Sequence, residues 1–236
     1  SCANQIPASD ITGVTSSDNC GGAPVNTFVS DQISAQTCAN RYTITRTYRA
    51  TDDCGNSANC TQIITVNDQT PPSITCPATV TVSCANQIPA SDITGVTSSD
   101  NCGGTPVNTF VGDQISNQTC ANSYTLTRSY RATDFCGNSA TCVQNIVVED
   151  TTSPTLTCPP FRIISCETDT TPATLGMAVA LDDCTPTNLI TITYTDQTQN
   201  LGQCNGTGTF TRNWKAKDMC GNIASCIQTI VIIDNT

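Results

Sequence analysis

Residues 1–22, SCANQIPASDITGVTSSDNCGG, recur letter for letter as residues 83–104. The offset of 82 carries on along the chain: Cys20 maps to Cys102, Cys38 to Cys120, Cys54 to Cys136, Cys60 to Cys142 and Cys76 to Cys158. A third, diverged copy carries Cys166, Cys184, Cys204, Cys220 and Cys226. One module used three times builds length more often than it houses a single active site. The period divides the 236 residues into copies at 1–70, 71–152 and 153–236, the first without the segment matching TPPSITCPATVTV.

A module of this size buries a modest core and often needs staples. Seventeen cysteines supply them, at a density that belongs to oxidising compartments. Structural zinc is the competing use. It is disfavoured by the absence of histidine and of any CxxC pair, and by spacings such as Cys54 to Cys60. The net charge is -10, and lysine occurs only at Lys215 and Lys217, which argues against nucleic acid and anionic membrane as partners. No apolar run reaches 18 residues and no signal peptide is present, so membrane insertion is not expected. Secretion would be directed by sequence outside this stretch or by a signal already removed.

In the middle copy, Ile74 to Cys84 alternates with period two and reads as one extended strand. Asp92 to Thr97 and Pro106 to Val111 read as short strands, the latter ending in the turn-like GDQISNQ. Tyr124 to Thr133 is a long alternating strand, DFCGNS a turn, and Ala140 to Val148 the last strand. Short strands with frequent turn signals, and no helix of two turns, predict an all-β sandwich. Tyr124, Leu126, Tyr130 and Ala132 share one parity, as do Tyr42, Ile44, Tyr48 and Ala50, and Gly208, Phe210, Trp214 and Ala216. That face is expected to be the core. Arg46, Arg128 and Arg212 lie on the same parity; each is expected to cover the core edge with its stem and pair its head with an Asp, a binding role being the alternative.

Strand geometry constrains the bridges. Cys76 and Cys84, flanking an extended run, would lie roughly 26 Å apart at 3.3 Å per residue, far beyond disulfide reach. If strands alternate in direction, Cys76, Cys102, Cys136 and Cys142 gather at one end, and Cys84 and Cys120 at the other. The simplest pairing is Cys84–Cys120, Cys102–Cys136 and Cys76–Cys142; Cys102–Cys120 with Cys84–Cys136 is the rival for the first two. The other copies then give Cys2–Cys38, Cys20–Cys54, Cys166–Cys204, Cys184–Cys220 and Cys158–Cys226. Cys60 is left without a partner: either the array continues beyond this stretch, or a neighbouring subunit supplies the missing strand. Pro71, Pro72 and Pro154 stiffen the linkers VNDQTPPS and VEDTTSPT, so an elongated rod of abutting sandwiches is expected.

PPSITCPATVTV, DNCGG and YTLTRSYRATDFCGNSATCVQNIVV together resemble the hyalin-repeat module, an immunoglobulin-like sandwich. The set is similar also to the Cys-rich tandem repeats of giant secreted surface proteins of Bacteroidetes. The resemblance implies tandem immunoglobulin-like domains, extracellular or at the cell surface, acting as stalks, adhesins or filament material. Other copies of the module, head to tail, and surface glycans are the partners it implies. The cysteines beyond Cys76 and Cys142 depart from the simpler hyalin pattern and imply mechanical or protease resistance.

Enzymatic activity is not expected: there is no histidine and no GxSxG, and the Asp residues lie mostly in turn signals. No cofactor is required, with calcium as the candidate site. Asp68, Asp150 and Asp234 recur at the joints, and Asp52, Asp53, Asp100 and Asp134 are placed to face them. Asn59, Asn117 and Asn205 stand in N-x-S/T frames, and Thr151 and Thr170 in D-T-T, similar to an O-glycosylation signal of Bacteroidetes. The leading functional expectation is a disulfide-braced structural or adhesive segment of an extracellular bacterial fibre. The alternatives are a carbohydrate- or surface-binding module, for which the third copy offers Trp214, and an accessory region of a secreted enzyme.

Overall fold

A computed structural model describes residues 1–199 and 207–234, and backbone alone at 198–199. The chain forms two compact units. One comprises Ser1–Pro77, Ser91–Gly112 and Ser129–Gln144; the other comprises Ala78–Ala90, Asp113–Arg128 and Asn145–Thr236. The division runs through the middle copy, so each unit is built around a joint between consecutive copies. The sequence divisions at 70 and 152 mark the period of the repeat.

The first copy contributes three strands, β1 (Val25–Cys38), β2 (Arg41–Thr51) and β3 (Ser57–Asn67), in one antiparallel sheet. The middle copy has β4 (Ser73–Thr75), β5 (Val80–Val82), β6 (Thr97–Ser99), β7 (Val107–Cys120), β8 (Ser123–Thr133) and β9 (Ser139–Glu149). Here β4 pairs with β6, and a second sheet runs β5-β9-β8-β7 with β5 parallel to β9. The third copy repeats the plan with β10 (Thr155–Thr157), β11 (Arg162–Ser165), β12 (Val179–Leu181), β13 (Thr191–Gln199), β14 (Gly208–Lys217) and β15 (Ile223–Ile233). A short sheet beside a larger one with a parallel edge strand, neither closed, is an immunoglobulin-like sandwich in reduced form. Helix is confined to single turns among the described residues, such as α1 (Pro172–Leu175).

Three strand assignments change. Ile74 to Cys84 is not one strand. The chain leaves β4 at Cys76–Pro77 and enters β5 three residues later, changing sheets where proline removes the backbone donor. Residues 92–95 form a turn in place of a strand, with Asp92 accepting from the backbone and hydroxyl of Thr94 at 2.8 and 2.6 Å. The GDQISNQ segment, expected as a turn, is the second half of β7. Its turn-forming composition is overridden by pairing with β8, with a kink at Asn117, where φ is +54°. In the first copy residues 15–17, equivalent to β6, form no strand.

The core face is the one read from parity. Tyr124, Leu126, Arg128, Tyr130 and Ala132 are buried along β8; Phe210, Arg212, Trp214 and Ala216 are buried along β14. In the first copy Tyr42, Ile44 and Tyr48 are buried, but Ala50 is only partly so. The clusters are small: Tyr42, Ile44 and Val66 in one, Tyr124, Leu126, Ile146 and Val148 in another. Cores of this size leave much of the stabilisation to covalent links.

Candidate functional site: the joints between copies

Two disulfides cross each joint. Cys2 bonds Cys102 and Cys38 bonds Cys136, with Cα separations of 4.9 and 5.2 Å. Cys84 bonds Cys184 and Cys120 bonds Cys220, at 5.0 and 5.1 Å. Each links a cysteine of one copy to a turn of the next. The turns are held by aspartates: the backbone N–H groups of Cys136 and Asn138 both donate to Asp134 Oδ1 at 2.8 Å, and those of Cys220 and Asn222 to Asp218 Oδ1 at 2.8 Å. Their middle residues, Gly137 and Gly221, have φ of +86° and +97°, which favours glycine. Amide side chains complete the joint. Asn138 Nδ2 donates to the Asp68 carbonyl at 3.2 Å and Asn222 Nδ2 to the Asp150 carbonyl at 3.1 Å. In the other direction, Asn40 and Asn122 donate to the carbonyls of Cys102 and Cys184, at 3.4 and 3.1 Å.

These bonds correct the pairing read from the sequence. Cys2–Cys38, Cys84–Cys120, Cys102–Cys136 and Cys184–Cys220 are absent, because each of these cysteines meets its partner in the adjacent copy. Cys20–Cys54 is absent as well, and both thiols are free and exposed. Cys166 is free and exposed; Cys204, its expected partner, lies outside the described residues. Within copies the structure joins Cys76 to Cys142 and Cys158 to Cys226. Cys60, the counterpart of Cys142, is a free thiol. It lines a cavity of about 630 Å³ together with Pro7, Asp10, Gly13, Arg46 and Tyr48.

Carboxylates gather at both joints. At the second, oxygens of Asp150, Asp182 and Asp218 lie within 4.8 Å of one another. Asp150 is only 5% exposed, and its Oδ2, like Oδ2 of Asp182, is buried without a hydrogen-bond partner. Burial raises the Asp150 carboxyl above its ordinary value, and the charges of Asp182, Asp218 and Asp183 add to the effect. Two unpartnered carboxylate oxygens, on Asp150 and Asp182, beside the Asp218 carboxylate, whose oxygens accept from Cys220 and Asn222, fit a calcium-type ion, which would complete its shell with backbone oxygen and water. At the first joint Asp68 and Asp100 come together with Cys102, but that sulfur is committed to a disulfide, leaving two carboxylates. Cys84, Asp183 and Cys184 form a third group that the same argument removes as a metal site. Asp234 belongs to none of these groups, and neither do Asp52, Asp53 and Asp134. Asp182 and Asp218 were not singled out by sequence; they are the third-copy equivalents of Asp100 and Asp134, and that equivalence was the available signal.

The three arginines take the structural role. Arg46 grips Asp31 with two bonds of 2.8 and 2.9 Å, Arg128 grips Asp113 at 2.9 and 2.9 Å, and Arg212 grips Asp196 at 2.7 and 2.8 Å. Each also donates to a loop carbonyl, of Pro7, Pro89 and Thr170 respectively, tying that loop to the core sheet. Trp214 is fully buried and donates to Gln228 at 3.4 Å, so it offers no platform for a sugar. Asn59, on β3, accepts from Arg49 at 3.2 Å; Asn117, Thr151 and Thr170 are exposed; Asn205 lies outside the described residues.

No known family model matches the chain, and no curated protein matches it. Solved structures with partial likeness are cadherin-type ectodomains. The protocadherin gammaB4 extracellular domain is 14% identical at a TM-score of 0.35, covering 89% of this chain and 45% of that one. Drosophila N-cadherin EC1-4 is 13% identical at 0.33, over 82% and 58% of the two chains. The human desmocollin-1 ectodomain is 13% identical at 0.25, over 81% and 47%. The chain thus spans about half the length of the structures it resembles.

Proposed function

We propose that the chain is a structural and adhesive repeat segment of an extracellular fibre, of the hyalin-repeat kind found in bacterial surface proteins, and not an enzyme. The observation that carries this reading is the double disulfide between consecutive copies. A load entering at Cys2 has a covalent route through Cys102 and Cys120 to Cys220, bypassing most of the polypeptide. The bypassed segments cannot be drawn out while the bonds hold. The six disulfides among the described residues suit an oxidising compartment, and no helix among those residues is long and apolar enough to cross a membrane. The burial of Trp214 supports this reading over a carbohydrate-binding one.

Single-molecule pulling tests the reading. The oxidised chain offers a covalent route of about 40 residues, or about 130 Å at ~3.4 Å per residue, against about 800 Å for the reduced chain. Equal extension of both forms would refute a load-bearing role. Binding of the oxidised chain to a glycan array would move the function toward surface recognition.

A further inference from the structure

The three copies of these cysteine turns stand in two states, bonded and free. In the middle copy, Cys102 and Cys136 are bonded to Cys2 and Cys38 of the copy before; in the third, Cys184 and Cys220 are bonded to Cys84 and Cys120. The equivalent residues of the first copy, Cys20 and Cys54, are free and exposed. Their surroundings nevertheless match the occupied pairs. Cys54 N–H and Asn56 N–H donate to Asp52 Oδ1 at 3.0 and 2.7 Å, and Asn56 Nδ2 donates to Asp52 Oδ2 at 2.8 Å. The same three bonds around Asp134 are each 2.8 Å. Gly55 has φ of +86°, the value found at Gly137. Cys20 N–H donates to Asp18, as Cys102 N–H does to Asp100, at 3.2 and 2.8 Å. The first copy therefore holds both thiols in the frame used twice elsewhere in the chain to bond a neighbour.

We propose that Cys20 and Cys54 form a covalent socket for another copy of this module, entered by the cysteine equivalent to Cys2 and Cys84. This rests on the fibre reading above and names the coupling chemistry. The equivalent cysteine in the third copy is Cys166, also free and exposed, so a second copy of this chain carries the entering group. Each new link breaks two S–H bonds and forms one S–S bond; the two electrons and two protons pass to a disulfide oxidant, which leaves as two thiols. Cys2 and Cys84, at 1% exposure, show how thoroughly an entered cysteine is covered. Cys60 stands apart from the socket, since its counterpart Cys142 bonds within its own copy.

The test uses the full chain, reduced and then reoxidised with a mixture of reduced and oxidised glutathione, followed by peptide mapping without reduction. The expected result is a ladder of covalent oligomers containing a Cys20–Cys166 peptide, with Cys54 bonded to a cysteine of the same donor copy. Cys20→Ser, at an exposed position, is expected to lose that linkage while keeping Cys2–Cys102. A Cys20–Cys54 peptide within one chain, or Cys20 left as thiol or glutathione adduct, overturns the socket. The same map contains Cys2–Cys102 and Cys84–Cys184. Their presence beside an unbonded Cys20 overturns the socket alone, whereas their absence overturns the fibre reading with it.

Discussion

Individual side chains at the joints set the response to pH and cations. The Asp150 carboxyl holds its proton more tightly in the fold than in the unfolded chain. Its stabilising contribution is complete below the ordinary aspartate value and is lost as pH rises through the raised one. In cation-free buffer Asp150→Asn is expected to flatten that part of the stability profile. It should also raise Tm at neutral pH, by about 2–4 °C for each kcal/mol relieved. Calcium should raise the wild-type Tm and leave the variant's nearly unchanged; equal responses in calorimetry would exclude Asp150 as a ligand. Asp31 behaves oppositely. The Arg46 hydrogen bond lowers its carboxyl, so its contribution is present above the ordinary aspartate value and lost as pH falls through the lowered one. Arg212→Leu should destabilise by roughly 1–3 kcal/mol, the smaller end being favoured because Asp196 is 36% exposed and rehydrates. Urea titration reads this directly. The alternation in YTLTRSYRAT made these inward positions legible, arginines included. Their partners were hidden, because Asp113 stands in a segment whose composition reads as a turn and only pairing between strands makes it part of β7.

The first copy carries a free thiol where the middle copy carries a bridge. In the middle copy β4 and β5 flank Cys76, which bonds Cys142 on β9. The first copy presents the free counterpart, Cys60, in a cavity. A synthetic peptide of residues 72–83, PSITCPATVTVS, is expected to form a disulfide with Cys60 under a glutathione redox mixture and to raise Tm. A scrambled peptide with the same cysteine should do neither, and equal labelling by both would show that the cavity does not select a strand. The sequence located β8 and β9 to within a residue or two, since both are long and alternate cleanly. It misjudged Ile74 to Cys84 because period two persists across Cys76–Pro77 although the strand changes sheets there.

Four of the six disulfides among the described residues lie at the joints. Each joint disulfide closes a loop of about 100 residues, worth about 4–5 kcal/mol by the chain-entropy estimate. Cys84→Ser with Cys120→Ser removes both bridges of the second joint. It should make Asn145–Thr236 cleavable by protease at concentrations the parent resists, with Cys76–Cys142 intact. Unchanged resistance of that region would place the stabilisation elsewhere. The sequence sorted the cysteines of the middle copy into two groups, with Cys84 and Cys120 apart from the rest. Their partners are not legible within one module, because they lie in the copy that follows. The bonds Cys84–Cys184 and Cys120–Cys220 exist only when a following copy is present.

The duplicated unit and the cross-linked unit are therefore out of phase, since two bridges at each joint tie one copy to the next. The middle copy excised alone would keep one native bridge, Cys76–Cys142, and carry four orphaned cysteines. Yet the same offset makes the array indifferent to copy number. Gaining or losing one 82-residue period adds or removes one seam with its two cross-links, and leaves the tally of unmatched sulfurs where it was.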